Sequence, residues 1–224
     1  MSLPTANKKT DAQIQQDVLN ELKWDTRVEP TDIGVEVHDG VVTLTGTVSS
    51  WAKKVAAEEA AHWVSGVLDV ANDVIVKVPS STERSDSDIA AAVRAALRWD
   101  VFVPDDKIQS TVSDGFVTLN GEVDTYAQRN DAARAVRNLS GVRGVLNEIN
   151  VSHAAVTPEA LRSAIRNALE RRADREVARI RIDVEGGHVT LSGDVNSWTE
   201  RRAVLGAVTG TRGVKGVSDH MKIG

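Results

Sequence analysis

One eight-residue run occurs three times in this chain at two fixed intervals, and that repetition constrains the fold more than any other feature. Asp39-Gly40-Val41-Val42-Thr43-Leu44-Thr45-Gly46 returns 75 residues later as Asp114-Gly115-Phe116-Val117-Thr118-Leu119-Asn120-Gly121, and 72 residues after that as Gly186-Gly187-His188-Val189-Thr190-Leu191-Ser192-Gly193. The same offsets carry Ile14, Val18 and Leu22 onto Ile89, Val93 and Leu97, then onto Leu161, Ile165 and Leu169. They also carry Gly66-Val67 onto Gly141-Val142 and Gly213-Val214. Within a unit no residue is lost, so the difference in period falls in the linkers, the first of which is the Pro/Ser-rich stretch from Pro79 to Ser85. The 224 residues therefore divide into an N-terminal tail (1–10), repeat 1 (11–78), a linker (79–85), repeat 2 (86–151), a linker (152–156) and repeat 3 (157–224).

Each repeat opens with apolar residues four apart, the stripe of an amphipathic helix. Thr10 with Gln13 has the spacing of a capping box, and Thr157-Pro158 reads as an N-cap followed by proline at the first helical position. Alternating residues from Ile33, an Asp39-Gly40 turn and a second alternating run to Val48 make a β-hairpin, because the turn needs the positive φ that Asp-Gly supplies. A second helix is entered through Ser50-Trp51, Thr125-Tyr126 and Ser197-Trp198, with Ser197 and Glu200 again at capping-box spacing. Its shared apolar face is built of small residues such as Ala57, Ala60 and Ala61. A Gly-Val turn leads to a last strand, near Val70 to Val76 in repeat 1. The order αββαβ predicts an α+β fold of α/β type: three small mixed three-stranded sheets, each with a right-handed strand–helix–strand crossover and two helices on one face. Gly46, Gly121 and Gly193 lie within a strand pattern, which predicts a bulge or a helix packed against the backbone there. Trp24 and Trp99, at the end of the first helix, read as closing the core.

Composition narrows the chemistry. Without cysteine there is no disulfide framework, thiolate zinc site, iron–sulfur cluster or cysteine nucleophile. The five histidines, His38, His62, His153, His188 and His220, share no equivalent position across the repeats and no i, i+4 pair, so no metal site is assigned. No phosphate-binding glycine loop follows a strand, and no serine sits in a nucleophile elbow. The chain reads as a non-enzyme with no catalytic residues and no cofactor. Residues 1–20 contain no apolar run of signal-peptide or membrane-span length, so a cytoplasmic location is expected, or a periplasmic one if a leader has been removed.

Charge distribution is more informative than the net −5. Repeat 1 carries five basic and twelve acidic residues, −7; residues 79–151 carry eight and eleven, −3; residues 152–224 carry twelve and nine, +3. In repeat 3, Arg162 and Arg166 lie one helical turn apart, followed by Arg171, Arg172, Arg175, Arg179 and Arg181. Forked guanidinium donors suit phosphate oxygens, so the cluster reads as a surface for anionic lipid head groups and, less specifically, nucleic acid. The plainer alternative is a solvated face neutralised by Glu159, Glu170, Asp174, Glu176 and the acidic first repeat. Trp63 has Asn138 and Gly210 as counterparts, which makes it a candidate contact between units or with a partner, or a single packing accident.

A helix, a hairpin reading DGxVTLxG, a second helix and a closing Gly-Val…Val strand, three times over, resemble the BON domain, the bacterial OsmY and nodulation domain. Gly46, Gly121 and Gly193 match the family's hallmark glycine. The resemblance implies this fold, no enzymatic activity, and roles in phospholipid-surface binding, osmotic or envelope stress protection and attachment within secretins and channels. The expectation for function is a stress-protection binding protein that meets anionic phospholipid through Arg162, Arg166, Arg171, Arg172 and Arg175. The alternatives are a protein-interaction adaptor or self-associating scaffold without lipid binding and, as a weaker one, a potassium-responsive sensor. Some relatives join the domain to a LysM module when they sense potassium, and no such segment occurs in this sequence. No specific nucleic-acid partner is expected.

Overall fold

The computed structural model describes residues 9–152, 157–172 and 179–223, without the side chains of Pro30, Thr82 and residues 170–172. Two compact units divide it: Met1–Lys77 holds repeat 1, and Val78–Gly224 holds repeats 2 and 3.

Repeat 1 runs α1 (Asp11–Trp24), β1 (Ile33–His38), β2 (Val41–Val48), α2 (Trp51–Trp63), β3 (Asp69–Asn72) and the short β4 (Ile75–Val76). Repeat 2 runs α3 (Asp86–Trp99), β5 (Ile108–Ser113), β6 (Phe116–Val123), α4 (Tyr126–Arg137) and β7 (Gly144–Val151). Repeat 3 follows with α5 (Pro158–Arg172), β8 (Ile180–Glu185), β9 (His188–Val195), α6 (Trp198–Thr209) and β10 (Gly216–Ile223). The fold is α+β. In every repeat the second hairpin strand is central, antiparallel to the first and parallel to the last, as in β5-β6-β7 and β8-β9-β10. Both helices cover the sheet face that buries Val42 and Leu44, Val117 and Leu119, or Val189 and Leu191. The i, i+4 stripe of the first helix is buried in all three repeats. Each such aliphatic side chain contributes about 1.5–3 kcal/mol on burial, so the stripe is the main anchor of that helix.

The caps act as their spacing predicts, with one shift. Thr10 Oγ1 accepts from Gln13 N–H at 3.3 Å while Gln13 Oε1 accepts from Thr10 N–H at 2.9 Å. Thr157 Oγ1 accepts from Ala160 N–H at 3.3 Å. Ser197 Oγ accepts from Glu200 N–H at 3.2 Å, but Glu200 Oε2 reaches back to Asn196 N–H at 2.7 Å, one residue before the cap. The last strand of repeat 1 is broken where Asp73 N–H donates to Leu44 O and Val74 turns into the core; Ile149 and Met221 hold that place in unbroken β7 and β10.

Two expectations are corrected. The hallmark glycines mark neither a bulge nor a helix contact. The β1–β2 register runs without a break from the turn to its last pair, Ile33 with Gly46, and likewise to Ile108 with Gly121 and Ile180 with Gly193. What approaches is backbone at the start of the hairpin's first strand: a Cβ on Gly46 would lie 2.0 Å from Asp32 O, and on Gly121 or Gly193 2.2 Å from Lys107 O or Arg179 O. Trp24 and Trp99 do not close the core, being 81% and 84% exposed.

Candidate functional site

Three interactions mark where repeat 3 departs from repeat 2, and the first of them is shared by repeat 1. The first joins the opening helix to the hairpin turn. Asp11, at the first position of α1, accepts from Asp39 N–H at 2.8 Å and Gly40 N–H at 2.9 Å, one bond to each carboxylate oxygen. Asp86 of α3 does the same for Asp114 N–H and Gly115 N–H, at 2.8 and 2.9 Å. The equivalent of Asp86 in repeat 3 is Pro158.

The second concerns the outer face of the first helix. Arg94 donates to Asp105 Oδ2 at 2.5 Å, Asp105 O at 2.7 Å and Ile108 O at 3.1 Å, tying α3 to the turn before β5. Its equivalent is Arg166, while the equivalent of Asp105 is Val177, an aliphatic residue with no side-chain acceptor. The third lies beside the hairpin, where Arg143 pairs with Glu83 at 3.3 Å. Repeat 3 has Lys215 in place of Arg143 and Ala155 in place of Glu83. The cations are kept and the three carboxylates are gone.

Of the arginines read from the sequence, Arg162 and Arg166 flank the buried stripe of α5, each about 100° around the helix from Leu161 or Ile165, Arg162 half-buried and Arg166 exposed. Neither makes an ion pair with a described residue. Arg171 and Arg172 end α5 with side chains outside the described atoms, and Arg175 lies outside the described residues altogether. Arg179 and Arg181 are exposed at the start of the repeat 3 sheet. Trp63, at the end of α2, is 53% exposed. Sequence reasoning missed an apolar tip after α3, where Val101 and Phe102 are 88% and 71% exposed beside Trp99.

Not every cation is available for a ligand. Arg201 stacks on Trp198 with its guanidinium 4.5 Å from the ring centroid and bonds Asp219 at 2.6 Å. Arg129 over Tyr126 and Lys54 over Trp51 repeat the ring contact at 5.5 and 5.9 Å, so this cation–aromatic pair belongs to the fold. In repeat 1, Arg27 fixes both Asp25 and Glu59, and its hydrogen bonds hold the Asp25 carboxyl below the ordinary carboxylate range. No cluster of three or more metal-ligating side chains occurs among the described residues, and no described helix is long and apolar enough to cross a membrane.

Three copies of one αββαβ module, each with its own core and the third without the aspartate that the other two bond to their hairpin turn, define a tandem-repeat α+β protein. Matches to the BON domain cover residues 10–78, 85–153 and 158–224, and the chain belongs to that family. It is 30% identical to the osmotically-inducible protein Y of Escherichia coli K12 over 147 residues, 64% of this chain and 73% of that one. It is 26% identical to a 21 kDa hemolysin of Actinobacillus pleuropneumoniae over 155 residues, 66% of this chain and 79% of the other. Among solved structures, CdsD of the Chlamydia trachomatis type III secretion system aligns over 92% of this chain and 90% of its own at 14% identity, with a TM-score of 0.26.

Proposed function

We propose that this chain is a non-enzymatic, stress-associated binding protein whose third repeat docks on anionic phospholipid. The observation that carries the reading is Arg166. Its counterpart Arg94 is engaged by Asp105, and with Val177 in the aspartate's place the Arg166 guanidinium is left to an external anion. Arg162, one turn away, extends the same face, and Arg171, Arg172 and Arg175 continue it in sequence. The name of the osmotically-inducible relative supports the stress association.

Sedimentation with phosphatidylglycerol vesicles against neutral phosphatidylcholine vesicles tests this. Binding to the former alone, weakening as salt rises, is the expected result. A basic residue near an anionic surface contributes about 1 kcal/mol, so Arg162→Gln with Arg166→Gln lowers the partition coefficient roughly 30-fold. Equal binding to both vesicles, or to neither, overturns the reading.

A second reading, a protein-interaction adaptor, is favoured by the exposed tip of Trp99, Val101 and Phe102 together with half-exposed Trp63. Self-association through these side chains predicts a fall in oligomeric mass by light scattering for Trp99→Ala with Phe102→Ser, and for Trp63→Ala. An unchanged mass in both variants removes it.

A further inference from the structure

We infer that the Gly186-Gly187 turn of repeat 3, with Lys215 beside it, is a binding site for an external carboxylate. The chain itself shows twice what this turn binds. In repeats 1 and 2 the two central turn amides, 2.8 and 2.9 Å from the two oxygens of an aspartate, grip a carboxylate at both ends. The repeat 3 turn has the same backbone: Gly186 and Gly187 have φ of +58° and +91°, against +50° and +78° for Asp39 and Gly40 and +51° and +78° for Asp114 and Gly115. Consecutive amides in this conformation converge on one point and form a concave donor pair for an oxoanion.

What differs is the occupant. Pro158 stands where Asp11 and Asp86 stand and offers no acceptor, and no described carboxylate accepts from Gly186 or Gly187 N–H. Gly40 and Gly115 are buried beneath their aspartates, whereas Gly187 is half-exposed. A basic side chain runs alongside. A Cβ on Gly187 would lie 3.0 Å from Lys215 Cγ, so the lysine stem runs against the turn, as the Arg143 stem does against Gly115. Arg143 pairs with Glu83, while Ala155 leaves Lys215 no such partner at that position. Two amides, with the Lys215 stem alongside, thus frame a position that an aspartate-like carboxylate fits, supplied by a small acid or by an acidic side chain of a partner. The site needs none of the α5 arginines, so it stands or falls apart from the lipid reading.

Amide NMR of the full chain titrated with sodium acetate, at constant ionic strength held with chloride, is the direct test. The Gly186 and Gly187 resonances should move downfield saturably while those of Gly40 and Gly115, already bonded to aspartates, stay still. Pro158→Asp rebuilds the internal ligand, and the acetate response should weaken about tenfold or more, the equivalent of one charge-assisted hydrogen bond. Shifts at Gly186 and Gly187 no larger than at Gly40 and Gly115, or an undiminished response in Pro158→Asp, overturn the inference. Inorganic phosphate titrated in parallel should move the same amides at higher concentration than acetate; tighter binding of phosphate overturns the assignment to carboxylate.

Discussion

Replacing Gly121 with alanine should unfold repeat 2, and the size of the effect follows from two terms. The residue has φ of +142°, a region that L side chains rarely adopt, which costs about 1–3 kcal/mol. The added Cβ would also lie 2.2 Å from Lys107 O and 3.2 Å from Ile108 Cα. Opening that contact by about 1 Å pulls the start of β5 off β6 and weakens the Ile108–Gly121 pairing, roughly another 1 kcal/mol. The sum, about 2–4 kcal/mol, matches the ~3–5 kcal/mol that a single core of this size supplies. Hydrogen exchange followed by mass spectrometry reads the loss locally: peptides covering 108–123 should lose most of their protection while those covering 33–48 keep theirs. Gly206→Ala is the internal control, because Gly206 is exposed on α6 and a Cβ there meets nothing within 4 Å. It should stabilise repeat 3 by about 0.5–1 kcal/mol through helix propensity alone. If Gly121→Ala leaves protection of β5 and β6 within about 1 kcal/mol of wild type, the carbonyl clash is not why the position requires glycine.

Three further outcomes follow from particular contacts. Asp86→Ala leaves the Asp114 and Gly115 amides unbonded and should cost repeat 2 about 2 kcal/mol, measured as lost protection in α3; a cost below about 0.5 kcal/mol would mean the carboxylate is ornamental. Arg201→Ala removes a 2.6 Å ion pair with Asp219, both side chains less than a fifth exposed, together with the stacking on Trp198, for about 2 kcal/mol, and Arg201→Lys should recover only part in denaturant unfolding. The Asp25 carboxyl is lowered mainly by the Arg27 side-chain hydrogen bond, so its stabilisation is complete above the ordinary value of 3.8 and is lost as pH falls through the depressed folded value. Urea unfolding of repeat 1 between about pH 6 and pH 2 should therefore show an acid decline that Asp25→Asn flattens, and an unchanged decline in that variant would assign the loss to other carboxylates.

What the sequence makes legible is whatever is local or periodic. The helix stripe, the hairpin, the caps and the αββαβ order depend on spacings of two to four residues, and three copies check one another. Trp24 shows where the reading failed for want of a simple rotation. At about 100° per residue it lies roughly 200° around α1 from Leu22, on the face away from the buried stripe, and its 81% exposure is what that angle requires. The hallmark glycines were found by repetition, but their cause was not. A carbonyl 14 residues away, immediately before the partner strand, excludes the Cβ, and glycine within a strand is ambiguous until register is known. The aspartate bonds to the turn span 28 and 29 residues and belong to no sequence motif. Their only written trace is that Asp11 and Asp86 accompany Asp-Gly turns whereas Pro158 accompanies Gly186-Gly187.

That last association bears on whether repeat 3 is merely a basic variant with a solvated face. Drift of surface charge would alter exposed residues and leave structural carboxylates in place, because Asp86 contributes two charge-assisted hydrogen bonds to its repeat. Repeat 3 differs at the one carboxylate that both other repeats bond to their turn, Pro158 for Asp11 and Asp86, and at two that repeat 2 alone carries, Ala155 for Glu83 and Val177 for Asp105. Two of its replacements at the turn are locally offset. Pro158 is preorganised for the first helical position and narrows the unfolded ensemble, worth about 0.4–1 kcal/mol. Gly186 adopts φ of +58° without the strain that Asp39 and Asp114 carry at +50° and +51°. The turn thus keeps its geometry without its internal anion, and the amides that anion would cover are left facing out beside Lys215. Set beside repeat 2, repeat 3 lacks three acids while holding Arg166, Lys215 and the turn conformation, and so has the donor half of each interaction, the half that recognises an anion from outside.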